Sequence, residues 1–302
     1  MVREAPSRFE AATPPLPPPG RLARVLRRAW RFRTGLLGAA IVLLALVAAV
    51  WPQLLAPHDP YHQQLARRLL PPVWEGGGQA TYLLGTDHVG RDYLSRIVYG
   101  SRVSLLCGFL ATALACAVGV TLGVVAGYYG GVLDSVISNL VNIMLAFPFI
   151  LLALAVIAVM GPSFTNLIIV LGLTTWTVYT RVVRAEVLTY RERDFVVAAT
   201  SLGSTDVRVI LRHILPNLIN TIVVLASLEV ARNILREAFL SFLGLGIQPP
   251  TPSWGGMLSE GRVYMLNKWW LATFPGLAIF LTTLGINLLG DSLRDLLDPH
   301  LD

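Results

Sequence analysis

Charged residues are scarce in this 302-residue chain, since Asp, Glu, Lys and Arg together make up 14% of it and hydrophobic residues make up 54%. Soluble domains carry roughly a quarter charged residues. The mean hydropathy is +0.62. An apolar fraction this large is typical of a chain whose solvent is a lipid bilayer, and it argues against a water-soluble enzyme.

Lysine is nearly absent: Lys268 is the only one, and no glycine-rich phosphate loop surrounds it. The chain therefore cannot be a P-loop ATPase. Its net charge of +6 comes from arginines beside apolar segments, which indicates membrane orientation and not nucleic-acid binding. Cysteine is also rare: Cys107 and Cys116 lie roughly 13 Å apart along one predicted helix, on opposite faces, and cannot pair.

The apolar runs predict an all-α membrane protein with about six transmembrane helices over residues 35–302. The spans are expected near residues 35–55, 105–128, 132–160 with a kink at Pro148, 166–183, 218–242 and 270–289. Residues 1–34 are proline-rich and basic, which predicts a disordered cytoplasmic segment, with a secretory signal peptide as the alternative. Both termini are then cytoplasmic, 56–104 and 245–268 lie outside, and 184–216 lies inside.

Small residues follow one another at every fourth position of the second span. Such a stripe lets another helix approach closely, because lipid supplies no hydrophobic drive for helix association. The packing helix could belong to this chain or to a partner subunit. The stripe consists of Ala111, Ala115, Gly119, Gly123 and Gly127.

The inner segment 184–216 reads as two amphipathic helices joined at Gly203. Gly203 suits the left-handed conformation that ends a helix, Ser204 or Thr205 can cap the next one, and Asp206 lies in its first turn. The predicted apolar faces are Val187, Phe195, Ala198, Ala199 and Leu202 in a helix over 186–202, then Val207, Ile210, Leu211 and Ile214. By itself this element could also lie on the membrane surface.

The same segment resembles the cytoplasmic coupling motif of ABC importer permeases. The matching residues are Ala198, Ala199, Gly203, Leu215 and Pro216, whereas Val197 and His213 replace a Glu and an apolar residue of the motif. Residues 84–105, 241–255 and 289–299 are similar to segments of dipeptide and oligopeptide importer permeases of the second type. The resemblance covers nearly everything from residue 30 onward.

The resemblance implies a non-catalytic permease domain of the type I ABC importer fold in the cell membrane. It implies that 184–216, with Ser204 and Asp206 among its contact residues, is a coupling loop for the ATPase. The implied partners are a homologous second permease, two cytoplasmic ATPase subunits that bind ATP and Mg, and an extracytoplasmic peptide-binding protein; no cofactor belongs to this chain. The related solutes are dipeptides, oligopeptides, glutathione and nickel.

Ionisable residues on the fifth span are the candidates for the translocation pathway. Glu229, Arg232 and Arg236 share one helical face, and Glu237 is nearby. Charges at membrane depth face a cavity or pair with each other, so this cluster either contacts the solute or neutralises itself against the partner permease. A stand-alone carrier is disfavoured, because the chain shows no repeated halves.

The outer segment before the second span predicts tight turns at Gly85 and Gly90. Four charged residues there predict an ion-pair network that shapes the loop, although contact with a docked binding protein is also possible: Asp87, Arg91, Asp92 and Arg96. His58, His62, Asp87 and His88 lie in the same loop, but Pro57 and Pro60 argue against the helical spacing that a metal site needs. No metal site is expected.

Overall fold

The computed structural model describes residues 33–297, so the predicted N-terminal segment 1–34 lies outside the described residues except for its last two positions. All named elements in the described range are helices. They are α1 (Arg33–Val50), α2 (Pro52–Leu55), a 3-10 turn (Leu65–Arg67), α3 (Tyr93–Tyr129), α4 (Gly131–Ala146), α5 (Phe149–Met160), α6 (Phe164–Arg191), α7 (Asp194–Ser201), α8 (Asp206–Val209), a π turn (Ile210–Ile214), α9 (Leu215–Phe242), α10 (Trp254–Arg262) and α11 (Trp270–Leu297).

Five of the described helices are long and apolar enough to cross a membrane: α1, α3, α6, the stretch from α8 through α9, and α11. The pair α4 and α5 makes a sixth span if the two are counted together, in agreement with the predicted number. The kink expected at Pro148 is confirmed in position and is a full break, because the two helices are bent by 89° and separated by Phe147 and Pro148. Proline has no N–H to donate and forces the preceding residue out of helical geometry, which ends α4.

Two helices extend well beyond their apolar runs. Residues 93–104, predicted as outer loop, form the beginning of α3, where the Asp92 side chain accepts a hydrogen bond from Ser95 N at 3.0 Å. α6 continues past the predicted end at 183 as far as Arg191. Hydropathy marks only the length that lies in lipid, so it cannot detect polar helical turns that continue into water.

The small-residue stripe of α3 packs against α6 of the same chain, which answers the question that the sequence left open. Ala111 and Ala115 are fully buried. A Cβ added at Gly119 would lie 2.5 Å from Tyr179 Cβ, one at Gly123 would lie 2.9 Å from Val183 Cβ, and one at Gly127 would lie 2.8 Å from Val187 Cβ. The contacting positions have rising residue numbers on both α3 and α6, so the two helices run parallel. Their backbones are in close contact.

α9 packs against the other long helices. Buried Leu105 of α3, Ile234 of α9 and Ile286 of α11 belong to one apolar cluster, which also contains Val42 of α1. The helix that carries the charged residues of the fifth span contacts three other spans, which are α3, α6 and α11.

We predict that Gly119→Ala destabilises the protein, because its Cβ would lie inside contact distance of Tyr179 and would push α3 away from α6. Overpacking of this kind costs about 1–3 kcal/mol. The matched control is Gly276→Ala, also in a membrane helix, where the nearest atom to an added Cβ is 3.9 Å away. Thermal unfolding of the two detergent-solubilised variants checks this; equal melting temperatures would contradict the close packing.

Candidate coupling and translocation sites

The inner segment folds as a short helical unit between α6 and α9. α7 ends before Gly203, whose φ of +81° confirms the predicted left-handed turn. The helix predicted over 186–202 is wrong as one piece, since α6 ends at Arg191 and α7 begins at Asp194. Thr205, not Ser204, occupies the N-cap position of α8, although its side chain makes no capping bond. Asp206 lies in the first turn as predicted, and its Oδ1 accepts a hydrogen bond from the Tyr128 hydroxyl at 3.0 Å.

One side of this unit is anchored in the protein. Val196, Ala199, Val209 and Ile214 are buried and form a cluster with α6 residues such as Val187. The unit therefore cannot move without α6, because its buried side chains share one packed core with that helix.

Several other apolar side chains of the unit are exposed, which corrects the predicted apolar faces. Leu202 is 87% exposed and Val207 is 62% exposed. Helical periodicity finds the apolar residues but not what covers them, and the π turn also shifts their register. We call these exposed apolar side chains together the inner apolar patch; its members are Phe195, Val197, Leu202, Val207 and Leu211.

The predicted coupling residues surround this patch. Ala198 is exposed beside it, whereas Ala199 is buried beneath it. Leu215 and Pro216 are the first two residues of α9, as the helix-start prediction for Pro216 requires. Five of the seven predicted coupling residues thus lie in the helical unit, and the other two begin the span that follows it.

The charged residues of the fifth span form one cluster on α9. Glu229 is fully buried, and its two carboxylate oxygens accept hydrogen bonds from Arg232 Nη1 at 2.6 Å and Arg236 Nη1 at 3.1 Å. Arg236 Nη1 also donates to Asn233 Oδ1 at 3.0 Å. Arg232 is 56% exposed. One carboxylate between two guanidinium groups leaves the cluster with an excess positive charge.

Glu237 lies outside this cluster, although the sequence places it close by. Its Oε1 accepts a hydrogen bond from the Ser241 hydroxyl at 2.7 Å, and its Oε2 is buried without a hydrogen-bond partner within residues 33–297. No arginine of the described chain lies within ion-pair distance of it. Glu237 therefore does not balance the charge of the two arginines.

The outer segment contains the predicted ion-pair network, except that Glu260 takes the place predicted for Asp92. Asp87 Oδ2 accepts from Arg91 Nε at 2.6 Å and from Arg96 Nη1 at 2.5 Å, and Glu260 of α10 accepts from Arg96 Nη1 at 2.6 Å. Asp92 instead caps α3. Gly85 and Gly90 have φ of +79° and +81°, as their predicted turns require.

The sequence did not reveal that Glu260 belongs to the ion-pair network, because Glu260 is 164 positions from Arg96 in the chain. The balance of charges gave no signal for it either, since the predicted network already paired two arginines with Asp87 and Asp92. Asp87, His88 and Glu260 also place ligand atoms within 4.8 Å of one another. Two guanidinium groups already bind both carboxylates, so this arrangement is an ion-pair cluster and does not favour a divalent cation.

The electrostatics of Asp87 follow from this geometry. Burial raises the pKa of its carboxyl, but the charges of Arg96 and Arg91 and the hydrogen bonds from Arg91 outweigh burial, so the pKa lies below its ordinary value of 3.8. Because the pKa is lower in the folded protein, Asp87 contributes stability above about pH 3.8, and this contribution is lost as the pH falls further.

The architecture defines the class: a multi-pass, all-helical membrane protein. The chain belongs to the binding-protein-dependent transport system inner membrane component family, whose model matches residues 119–302. The model for the N-terminal TM domain of oligopeptide transport permease C matches residues 20–72.

Two relatives span nearly the whole chain. The dipeptide transport system permease protein DppC of Escherichia coli (strain K12) is 49% identical over 90% of both chains. The di/tripeptide transport system permease protein DppC of Pseudomonas aeruginosa (strain UCBPP-PA14) is 41% identical over 88% of both chains.

A solved structure of the MetNI methionine ABC transporter, in inward-facing conformations, shares the fold. Its TM-score is 0.55 at 17% identity, covering 67% of this chain and 96% of the other. The predicted type I ABC importer fold is thereby confirmed, and the chain is a multi-pass inner-membrane protein.

We predict that Asp87→Asn destabilises the protein at neutral pH by about 3 kcal/mol, because Arg91 and Arg96 stay buried with only Glu260 as an anionic partner. The loss of stability that the wild type shows below about pH 3.8 should also become smaller, since the titrating carboxyl is gone. The control is Asp59→Asn, an exposed carboxylate in the same outer segment. Unfolding temperatures measured between about pH 3 and pH 7 check both effects; a pH profile identical to the wild type would refute them.

Proposed function

We propose that this chain is one of two transmembrane permease subunits of an ATP-driven importer for dipeptides and oligopeptides. Its close relatives over about nine-tenths of its length are named as dipeptide and di/tripeptide transport permeases. Membership of the binding-protein-dependent family supports delivery of the solute by an extracytoplasmic binding protein. Both termini are cytoplasmic in this proposal.

The inner apolar patch is the observation that carries the proposal. Five apolar side chains on a short helical unit are exposed in the chain by itself, although burying each of them would be favourable. An exposed apolar surface of this kind marks a site for another protein. The chain has no phosphate-binding loop of its own, so the partner that fits is a cytoplasmic ATPase subunit, which supplies ATP and Mg.

The anchoring of the patch suggests how the ATPase acts on the membrane helices. Buried Val196 and Val209 join the unit to the core between α6 and α9. A displacement of the patch would therefore move both spans together, as alternating access requires.

The α9 cluster is the proposed contact with the solute, formed together with the homologous permease. A peptide carries a carboxylate, and the excess positive charge of Arg232 and Arg236 favours it, whereas Glu229 is buried and already bound by both guanidinium groups. The alternative, that the cluster only neutralises a charge of the partner permease, predicts that its variants fail to assemble.

We predict that Val207→Asp uncouples transport, because a carboxylate in the inner apolar patch would have to lose its water when the ATPase docks. Uptake of a labelled dipeptide into proteoliposomes that contain the complete transporter should fall at least about tenfold, since one desolvated charge costs several kcal/mol. The ATPase subunits should also be lost during co-purification.

Val263→Asp is the matched control, because Val263 is 78% exposed but lies at the end of α10, outside the patch. It should leave both uptake and co-purification unchanged. Undiminished uptake and co-purification in Val207→Asp would show that the patch does not bind the ATPase. A wild-type complex that takes up no dipeptide would refute the solute assignment.

A further inference from the structure

The break between α4 and α5 borders a cavity of about 320 Å³ among the described helices. Its walls come from three places: the break itself, the middle of α6 and the charged cluster of α9. Its volume is at the lower end of the range for small-molecule sites, enough for part of a solute. The residues that matter here are Phe147, Phe149, Thr175, Thr177 and Arg236.

The beginning of α5 contributes a positive end of a helix dipole to this cavity. α5 starts at Phe149, and its N-cap, Pro148, provides no side-chain hydrogen bond to the first turn. The first N–H groups of a helix have no intrahelical partner. In membrane transporters, helices broken in mid-span place such ends toward anionic solute groups.

Arg236 brings a formal positive charge to the same cavity. Within the described chain its hydrogen bonds all leave from Nη1, toward Glu229 and Asn233, so Nε and Nη2 remain available. Its guanidinium carbon lies 5.6 Å from the centroid of the Phe149 ring, which holds the group at the start of α5. The excess charge of the α9 cluster is thus located beside the free N–H groups.

Thr177 adds an unsatisfied polar group. Its side chain is 1% exposed, and its hydroxyl has no hydrogen-bond partner within residues 33–297. Buried hydroxyl groups in proteins are nearly always hydrogen-bonded, so this one is a candidate for a ligand contact. The Phe147 and Phe149 rings provide an apolar surface next to these donors.

We infer that this cavity binds the carboxylate of a solute that also carries an apolar side chain. This inference rests on the proposed function and names the solute group that the α9 cluster recognises. A carboxylate matches two parallel N–H groups of Arg236, while the excess charge, the dipole of α5 and the Thr177 hydroxyl all favour an anion. The apolar side chain then lies against the phenylalanine rings.

The test is binding of the dipeptide Ala-Phe and of its C-terminal amide to the assembled permease–ATPase complex in nanodiscs, without the binding protein. Saturation-transfer NMR detects such weak binding and shows whether the Phe ring of the peptide is in contact. We expect amidation to weaken binding to the wild type about ten- to hundred-fold, because it removes one charge-assisted contact. Arg236→Gln should weaken binding of Ala-Phe by a similar factor, and amidation should then have a much smaller effect than in the wild type.

Arg262→Gln is the matched control, because Arg262 also lies over a phenyl ring, 5.2 Å from the centroid of Phe242, but does not line the cavity. It should bind Ala-Phe as the wild type does. Arg236→Lys keeps the charge and should recover part of the affinity, which separates recognition from misfolding. Equal binding of acid and amide by the wild type, or an amidation effect in Arg236→Gln as large as that in the wild type, would overturn the site. If uptake of the dipeptide by the complete transporter persists in that case, the proposed function stands without it.

Discussion

Direct backbone contact between α3 and α6 is the constraint on which the other features depend. In lipid, helices associate through close packing, and the glycines at 119, 123 and 127 allow it. The two helices run parallel, so a displacement of one helix is transmitted to the other. The beginning of α3 carries Arg96 of the outer ion-pair cluster, and the end of α6 leads into the unit that bears the inner apolar patch. The outer cluster and the inner patch are therefore joined by one packed pair.

Charged side chains within the spans also need partners, because an unpaired charge in the membrane is costly. Glu229 is fully buried because two arginines of its own helix bind it, and the remaining positive charge lies beside the break between α4 and α5. A broken span is tolerated in a membrane where it lines a cavity, since the freed backbone groups need polar partners. The break and the excess charge thus belong to one site.

Several elements could be predicted from local patterns alone. The turn at Gly203, the helix start at Pro216 and the shared face of Glu229, Arg232 and Arg236 depend on residues a few positions apart. The exposure of Leu202 and the membership of Glu260 could not be predicted. Periodicity identifies an apolar residue but not the groups that pack over it. An ion pair between residues 164 positions apart leaves no local pattern in the sequence.

The sequence by itself determined the solvent of this protein, its approximate number of spans, the absence of a phosphate-binding loop and the turn at Gly203. Each of these follows from composition or from short-range spacing. Only the tertiary structure decided that the glycine stripe packs within the chain, that the span at Pro148 is broken by 89°, and that Arg236 lies over Phe149. The reason is physical: packing, helix direction and charge pairing depend on groups that are distant in sequence and meet only in the folded membrane domain.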